Sequence, residues 1–393
     1  MENSTTVYDK KMSNLVGIGL ILGFLLPHTS NALLLVNPLF CLMLQCFKQN
    51  RVFFKKNWVI IIPLLITLVL NIGQVDTKSQ LSYAAILLYV FCFPFVVNVR
   101  INNVFLYLIL FVVLLSQMAY VFRIPILSNF FDTYYPISEQ GLNEFQNMVY
   151  NVGVGNMFNF RHGGLYRNSN ICSKSICFLL MFFLYNNKGK GMKNIILFVV
   201  TSMFIIVLTG SRTGFFVGGL TIILFLFLRA DIKSYWKWGT AIVFSSFFIY
   251  LIVSNVGGYR ALDLESAWEG SGSSKWRVFI EYISNENSVV RILFGYFDTS
   301  RWENPNVDIL SKFDSDYGDL IFAYGIVGFT AFMFFFYSVF RRVGKMGKAF
   351  FILLLWMISS TIVTSFRFFF IYMLMLSIIY SDYRNKRNNI NNI

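Results

Sequence analysis

Residues Asn194–Leu228 read NIILFVVTSMFIIVLTGSRTGFFVGGLTIILFLFL, an apolar run with a single charge, Arg212, near its middle. The run holds about 35 residues. As one helix it would extend roughly 50 Å at about 1.5 Å per residue, against a hydrocarbon core of about 30 Å. The helix must therefore break, and the break falls at Gly210 and Gly214, the two glycines around Arg212. An arginine at membrane depth is costly and usually faces a watery or protein-lined cavity. The stretch Gly210-Ser211-Arg212-Thr213-Gly214 is thus both a chain reversal between two spans and the best pointer to a site.

Working outward, the same apolar character fills the chain. Of 393 residues, 56% are hydrophobic and 13% charged, the composition of an integral membrane protein. Twelve apolar spans are predicted, over 13–27, 32–47, 57–73, 82–98, 103–122, 171–187, 194–209, 214–229, 236–254, 318–340, 348–364 and 367–381. The fold class is an all-α polytopic membrane protein, read as one domain over 1–393. The first span resembles a signal peptide in length. It lacks a small-x-small cleavage site before Ser30, and more spans follow, so it reads as retained.

Charge fixes the orientation. With the N-terminus inside and spans alternating, the inner segments hold 20 of the 33 basic residues and only 4 of the 19 acids. Lys48, Arg51, Lys55 and Lys56 fill one inner loop, and Arg229, Lys233 and Lys237 another. This is the positive-inside pattern, with both termini cytoplasmic. It also accounts for the net charge of +14, which on a soluble chain would point to nucleic acid. No nucleic-acid partner is expected. The five cysteines lie in or beside spans, with no metal-ligand spacing, and read as small packing residues.

Two connections are too long to be plain turns, and both fall outside: 123–170 and 255–317. Loops of this length usually hold helices and build a site. Ser274–Ile283 has helical apolar spacing and reads as an amphipathic helix over the membrane face. The asparagine-rich tail, 384–393, is too polar to pack and is expected to be disordered.

Histidine occurs only at His28 and His162, which argues against a histidine metal centre or a serine triad. There is no P-loop and no dinucleotide fingerprint, so no cofactor is expected, and an enzyme of this kind needs a substrate carrying its own activation energy. What remains on the outer side is arginines, carboxylates and aromatics. The first loop ends in Arg161-His-Gly-Gly-Leu-Tyr-Arg-Asn-Ser-Asn170, where Gly164 permits close backbone approach and Arg161 and Arg167 can grip an anion. The break supplies Arg212. The second loop supplies Arg277 and Trp276, with Asp314 and Asp316 at its end. Guanidinium forks suit phosphate oxygens, and flat aromatic rings suit sugar faces. Plainer roles stand beside these. Arg260, Arg291 and Arg301 read as surface ion pairs, loop aromatics as interface anchors, and Asp314 or Asp316 as a helix cap.

Taken together, these motifs resemble the Wzy-type polysaccharide polymerases and related O-antigen ligases. The resemblance rests on Gly210–Gly214, on Arg161-x-x-Gly164 with Asn168 and Asn170, and on Trp276-Arg277. It continues through Phe294-Gly295-Tyr296 and Asp314-Ser-Asp-Tyr-Gly318, leading into Tyr324-Gly-Ile-Val-Gly328. It covers nearly the whole chain, through the order of short motifs rather than any one of them. It implies a membrane glycosyltransferase similar to the GT-C class, in a bacterial cytoplasmic membrane with its site on the outer face. Its substrates would be polyprenyl-pyrophosphate-linked oligosaccharides, and a chain-length regulator is the protein partner it suggests. Ligases of this pattern carry a histidine late in the second loop. This chain has none there, which favours a polymerase over a ligase. The resemblance implies Arg212, Arg161 and Arg277 on the donor pyrophosphate, with Asp316 or Asp314 acting on the acceptor hydroxyl. A transporter is the competing class, but no internal repeat is evident and the charges gather on outer loops.

Overall fold

A computed structural model describes residues 2–26, 32–46, 58–71, 77–94, 101–122, 124–135, 163–166, 169–253, 280, 284, 288–296, 302–303, 310–311, 316–357 and 366–391. These are almost entirely helical. A helix occupies each apolar segment. In chain order they are α1 (Glu2–Leu25), α2 (Ala32–Cys46), α3 (Trp58–Leu70), α4 (Thr77–Cys92) and α5 (Asn103–Val121). A short α6 (Pro125–Tyr134) opens the first long loop. Then come α7 (Ser169–Asn186), α8 (Lys193–Leu208), α9 (Arg212–Leu228) and α10 (Ser234–Val253). The second loop contains α11 (Val289–Phe294) and a small antiparallel pair, β1 (Trp302–Glu303) and β2 (Leu310–Ser311), with Trp302 opposite Ser311. The chain finishes with α12 (Asp316–Phe340), α13 (Lys345–Met357) and α14 (Phe366–Asn391). Among the described residues, two helices are long and apolar enough to cross a membrane, Asn103–Val121 and Leu320–Phe340, and five more have shorter apolar stretches.

The boundaries follow local chemistry. Asn102 caps α5, its side chain accepting from the Val104 amide at 3.1 Å. Pro125 takes the first turn of α6, where no amide is needed. The predicted span 82–98 shifts to Thr77–Cys92, ending just before Phe93-Pro94, because the residue ahead of a proline avoids helical geometry. The tail differs from expectation: α14 runs on to Asn391, so 384–391 is helical rather than disordered.

The chain forms two compact units, one from 1–30 and 100–263, the other from 31–99 and 264–393. Each set of helices closes its own core. In the first unit α7 is the central helix, buried on every side from Cys172 to Tyr185 and packed on α5, α8 and α9. Phe183 stacks on Phe198 of α8 at 3.8 Å between centroids, with Tyr107 of α5 edge-on to both. Such aromatic pairs contribute about 0.5–1.5 kcal/mol each beyond burial. In the second unit α14 is enclosed from Phe369 to Leu376, and Tyr372 packs edge-on to Phe336 of α12. The outer faces are apolar: Leu197, Val200, Ile242 and Val243 are each more than half exposed.

Candidate functional site

The turn between α8 and α9 is built residue by residue from its sequence. Thr209 caps α8, its hydroxyl donating to the Ile206 carbonyl at 2.6 Å. Gly210 follows in the left-handed region at φ +61°, the position after a helix end where only glycine is at ease. Its amide donates to the Val207 carbonyl. Ser211 then turns extended and becomes the N-cap of α9, its hydroxyl accepting from the Gly214 amide at 3.3 Å. Arg212 is the first residue of α9. The expected break at two glycines is therefore a break at one. Gly214 lies inside α9, and a Cβ there would sit 2.3 Å from the Cβ of Ser173 on α7. It is a packing glycine that lets α7 and α9 approach closely.

The first loop arrives at the same place. Asn170, in the first turn of α7, accepts a hydrogen bond through its Oδ1 from the Ser211 hydroxyl at 3.2 Å. That hydroxyl thus holds both the α9 N-terminus and the end of the first loop. Ser173 donates to the Asn170 carbonyl at 3.0 Å, and the Cys177 thiol donates to the Gly214 carbonyl at 3.3 Å. The loop exit is pinned as well. Gly164 has φ +56°, and a Cβ there would lie 2.5 Å from the Ser116 hydroxyl on α5. The Leu165 amide donates to that hydroxyl, and buried Tyr166 donates to the Phe24 carbonyl of α1 at 2.8 Å. Gly164 lets its backbone approach α5 closely and so shapes the turn. Asn170 remains exposed. Arg161 and Arg167 lie outside the described residues.

The second unit joins two other motifs. Gly325 breaks α12 with φ +65°, and Gly295 ends α11 with φ +73°. Each glycine occupies the other's space: a Cβ on Gly295 would meet Ala323 backbone at 2.5 Å, and one on Gly325 would meet Leu293 backbone at 2.2 Å. The Tyr296 amide donates to the Phe322 carbonyl at 2.8 Å, and the two rings stack at 5.0 Å. Thr67 of α3 donates to the Phe294 carbonyl. Arg291, read from sequence as a surface ion pair, bonds the Asn71 carboxamide and lies over the Tyr296 ring at 4.7 Å. It helps dock α11 on α3. Asp316 is the first residue of α12. Arg277, Trp276, Asp314 and nearly all of the amphipathic stretch at 274–283 lie outside the described residues.

Sequence reasoning passed over Ser211 as a fastening hydroxyl, although serine before a helix start is a standard cap signal. It also passed over Lys174, a lysine within the predicted span 171–187, which is 5% exposed. The signal was present: one charge between Ser173 and Ser175 in an apolar run. Among the described residues no cluster of three His, Cys, Asp or Glu could hold a metal ion. No family model, curated protein or solved structure matches the chain.

Proposed function

We propose that this chain is a polysaccharide polymerase of the Wzy type, a polytopic enzyme of the bacterial cytoplasmic membrane with both termini inside and its site on the outer face. The observation that carries the proposal is the bond from Ser211 to Asn170, because it fastens the end of the first loop to the helix that Arg212 opens. Two motifs separate in sequence form one junction, with exposed Asn170 beside an N-terminus that favours anions. The apolar outer faces and the positive inner loops suit a chain crossing the membrane at its twelve apolar segments.

In this function the donor is a glycan on polyprenyl pyrophosphate, and the acceptor is the non-reducing end of a lipid-linked repeat unit. The acceptor hydroxyl oxygen attacks the anomeric carbon. The bond from that carbon to pyrophosphate breaks, and its electron pair leaves on the pyrophosphate oxygen. The hydroxyl proton passes to a carboxylate, Asp316 or Asp314. Arg212, Arg161 and Arg277 neutralise the charge that develops on the leaving group, and Arg167 and Trp276 hold the substrate. Direct displacement inverts the anomeric centre.

The decisive assay supplies purified protein with a lipid-linked repeat and reads products by length. A ladder with released polyprenyl pyrophosphate is expected. Transfer to a lipid A core instead of a ladder would make the chain a ligase, and donor movement without bond cleavage would make it a transporter. Matched Asp316→Asn and Asp314→Asn variants should differ sharply in polymer yield; full activity in both removes these carboxylates from the mechanism.

A further inference from the structure

The end of the first unit away from the Ser211 junction gathers the start of α5, the end of α7, the start of α8 and the α9–α10 connection. The Asn186 carboxamide donates to the Ile101 carbonyl and accepts from the Ile101 amide. The Asn103 and Asn187 carboxamides bond each other. Arg229 donates to the Lys190 carbonyl at 2.8 Å, which ties the α9–α10 connection to the α7–α8 connection. Two basic loops, 187–192 and 229–233, are thus fastened into one surface. They contain one acid between them, Asp231. That acid is already spent, because both its oxygens meet the guanidinium of Arg229, whose side chain is 5% exposed. Lys190, Lys193 and Lys233 reach outward from the same surface, exposed.

Aromatic rings border these lysines. Tyr235, Trp236 and Trp238, at the start of α10, are 60%, 63% and 60% exposed. Trp238 stands edge-on to Phe227 of α9 at 5.2 Å, Tyr235 and Trp236 rest against each other at 5.6 Å, and the Lys233 ammonium lies 5.9 Å from the Tyr235 ring centre. Rings with an apolar body and a polar tip settle at the headgroup level of a bilayer. Farther along α10 the exposed residues are aliphatic, among them Ile242, Val243 and Ile249. Cation, then aromatic ring, then aliphatic chain is the order of layers from a membrane surface inward. The positive-inside rule asks only for basic residues on the inner side. It does not ask that two loops be fastened together, that their acid be spent on a buried arginine, or that exposed rings line the border.

We propose that this face binds anionic phospholipids of the inner leaflet, with Lys190, Lys193 and Lys233 on the headgroup phosphates and Tyr235, Trp236 and Trp238 at the level of the glycerol and upper acyl chains. The inference rests on the membrane topology of the polymerase reading and not on its chemistry. An ammonium meets a phosphate as a point charge, and several at a membrane surface add their attraction. Lipid held here sets the depth of the first unit in the bilayer, and with it the depth of the Ser211 junction at the other end.

The test uses the purified full-length protein in neutral detergent, titrated with phosphatidylglycerol or with phosphatidylcholine, and counts bound lipid by native mass spectrometry. Wild type is expected to prefer phosphatidylglycerol by about ten-fold or more, a preference that fades as salt rises. Replacing all three lysines, Lys190→Gln, Lys193→Gln and Lys233→Gln, should remove most of it and leave phosphatidylcholine binding unchanged. A matched variant of the second unit, Arg341→Gln, Arg342→Gln and Lys345→Gln, takes the same charge from another exposed basic segment and should keep the preference. Equal losses in the two variants would reduce the attraction to net charge and overturn the site. Wild type alone also decides: no preference at low salt, or one indifferent to salt, overturns the proposal whatever the variants do. A glycan ladder from protein without lipid preference would leave the polymerase reading standing and this one fallen; lipid preference without a ladder would do the reverse.

Discussion

Arg229 follows α9 at the end where the helix dipole is negative; Arg212 opens the same helix at the end where it is positive. Around Arg229 the fold supplies everything a cation needs. Its guanidinium is chelated by both carboxylate oxygens of Asp231, donates to the Lys190 carbonyl at 2.8 Å and faces the Phe225 ring. Lys237 adds donors to the Phe227 and Arg229 carbonyls, closing the helix end. At the other end the dipole opposes a cation by about 0.3–1 kcal/mol and favours an anion. The contrast separates two uses of one residue type. An arginine at the favourable end with its partners built in belongs to the architecture. An arginine that opens the helix stands at the end where the dipole favours an anion, next to the Ser211 cap and the exposed Asn170.

The comparison breaks most visibly at the arginines themselves. Arg212→Lys keeps the charge and loses the two-pronged geometry; polymer yield should fall on the order of 100-fold at unchanged protein level. Arg229→Lys should leave the glycan ladder intact. Equal ladders from the two variants would erase the distinction. A smaller effect is expected from Gly214→Ala, which forces a methyl into Ser173 and should cost about 1–3 kcal/mol of thermal stability. Ser173→Gly should restore much of that loss in the double variant, whereas additive losses would mean that the two positions are not in contact.

Next in size are the two caps. Ser211→Ala removes the N-cap hydroxyl and should cost about 1 kcal/mol. Lys237→Met, which withdraws donors from the opposite end, should cost about 0.5–1.5 kcal/mol. Only the serine variant should also lower polymer yield, because only that end carries Asn170. The smallest effect is one of acidity. The Arg229 guanidinium holds the Asp231 carboxyl below its ordinary value of 3.8. A carboxylate depressed in the folded state stabilises fully above the unfolded value, and that contribution fades as pH falls through the folded one. Thermal midpoints compared between wild type and Asp231→Asn should converge below about pH 4 and separate above it. A constant gap across that range would remove the ion pair from the account.

Sequence reading went far where the physics is local. Apolar runs predicted helices segment by segment, because burying twenty apolar residues together leaves the backbone few other solutions. The reversal near Gly210 was legible because a 35-residue apolar run is too long for one span and glycine is favoured just after a helix end. The role of Gly214 was not, since its reason is a neighbour on α7, more than thirty residues earlier in the chain, and no local pattern encodes that proximity. The partner of Gly164 was illegible for the same cause: the group that approaches its backbone is Ser116, far back in the chain. The division into two units escaped entirely. It depends on which helices share a core, and α1 leaves its sequence neighbours to pack on α5.

The meeting of Gly295 and Gly325 bears on the order of synthesis. A growing chain makes α11 before α12, so Tyr296 has left the ribosome before Phe322, whose carbonyl bonds outside its own helix, to the Tyr296 amide. The donor is made before its acceptor. The second long loop thus carries in advance the piece that completes a later helix. The bend in α12 becomes a checkpoint of assembly, reached only when the loop made before it has taken its place.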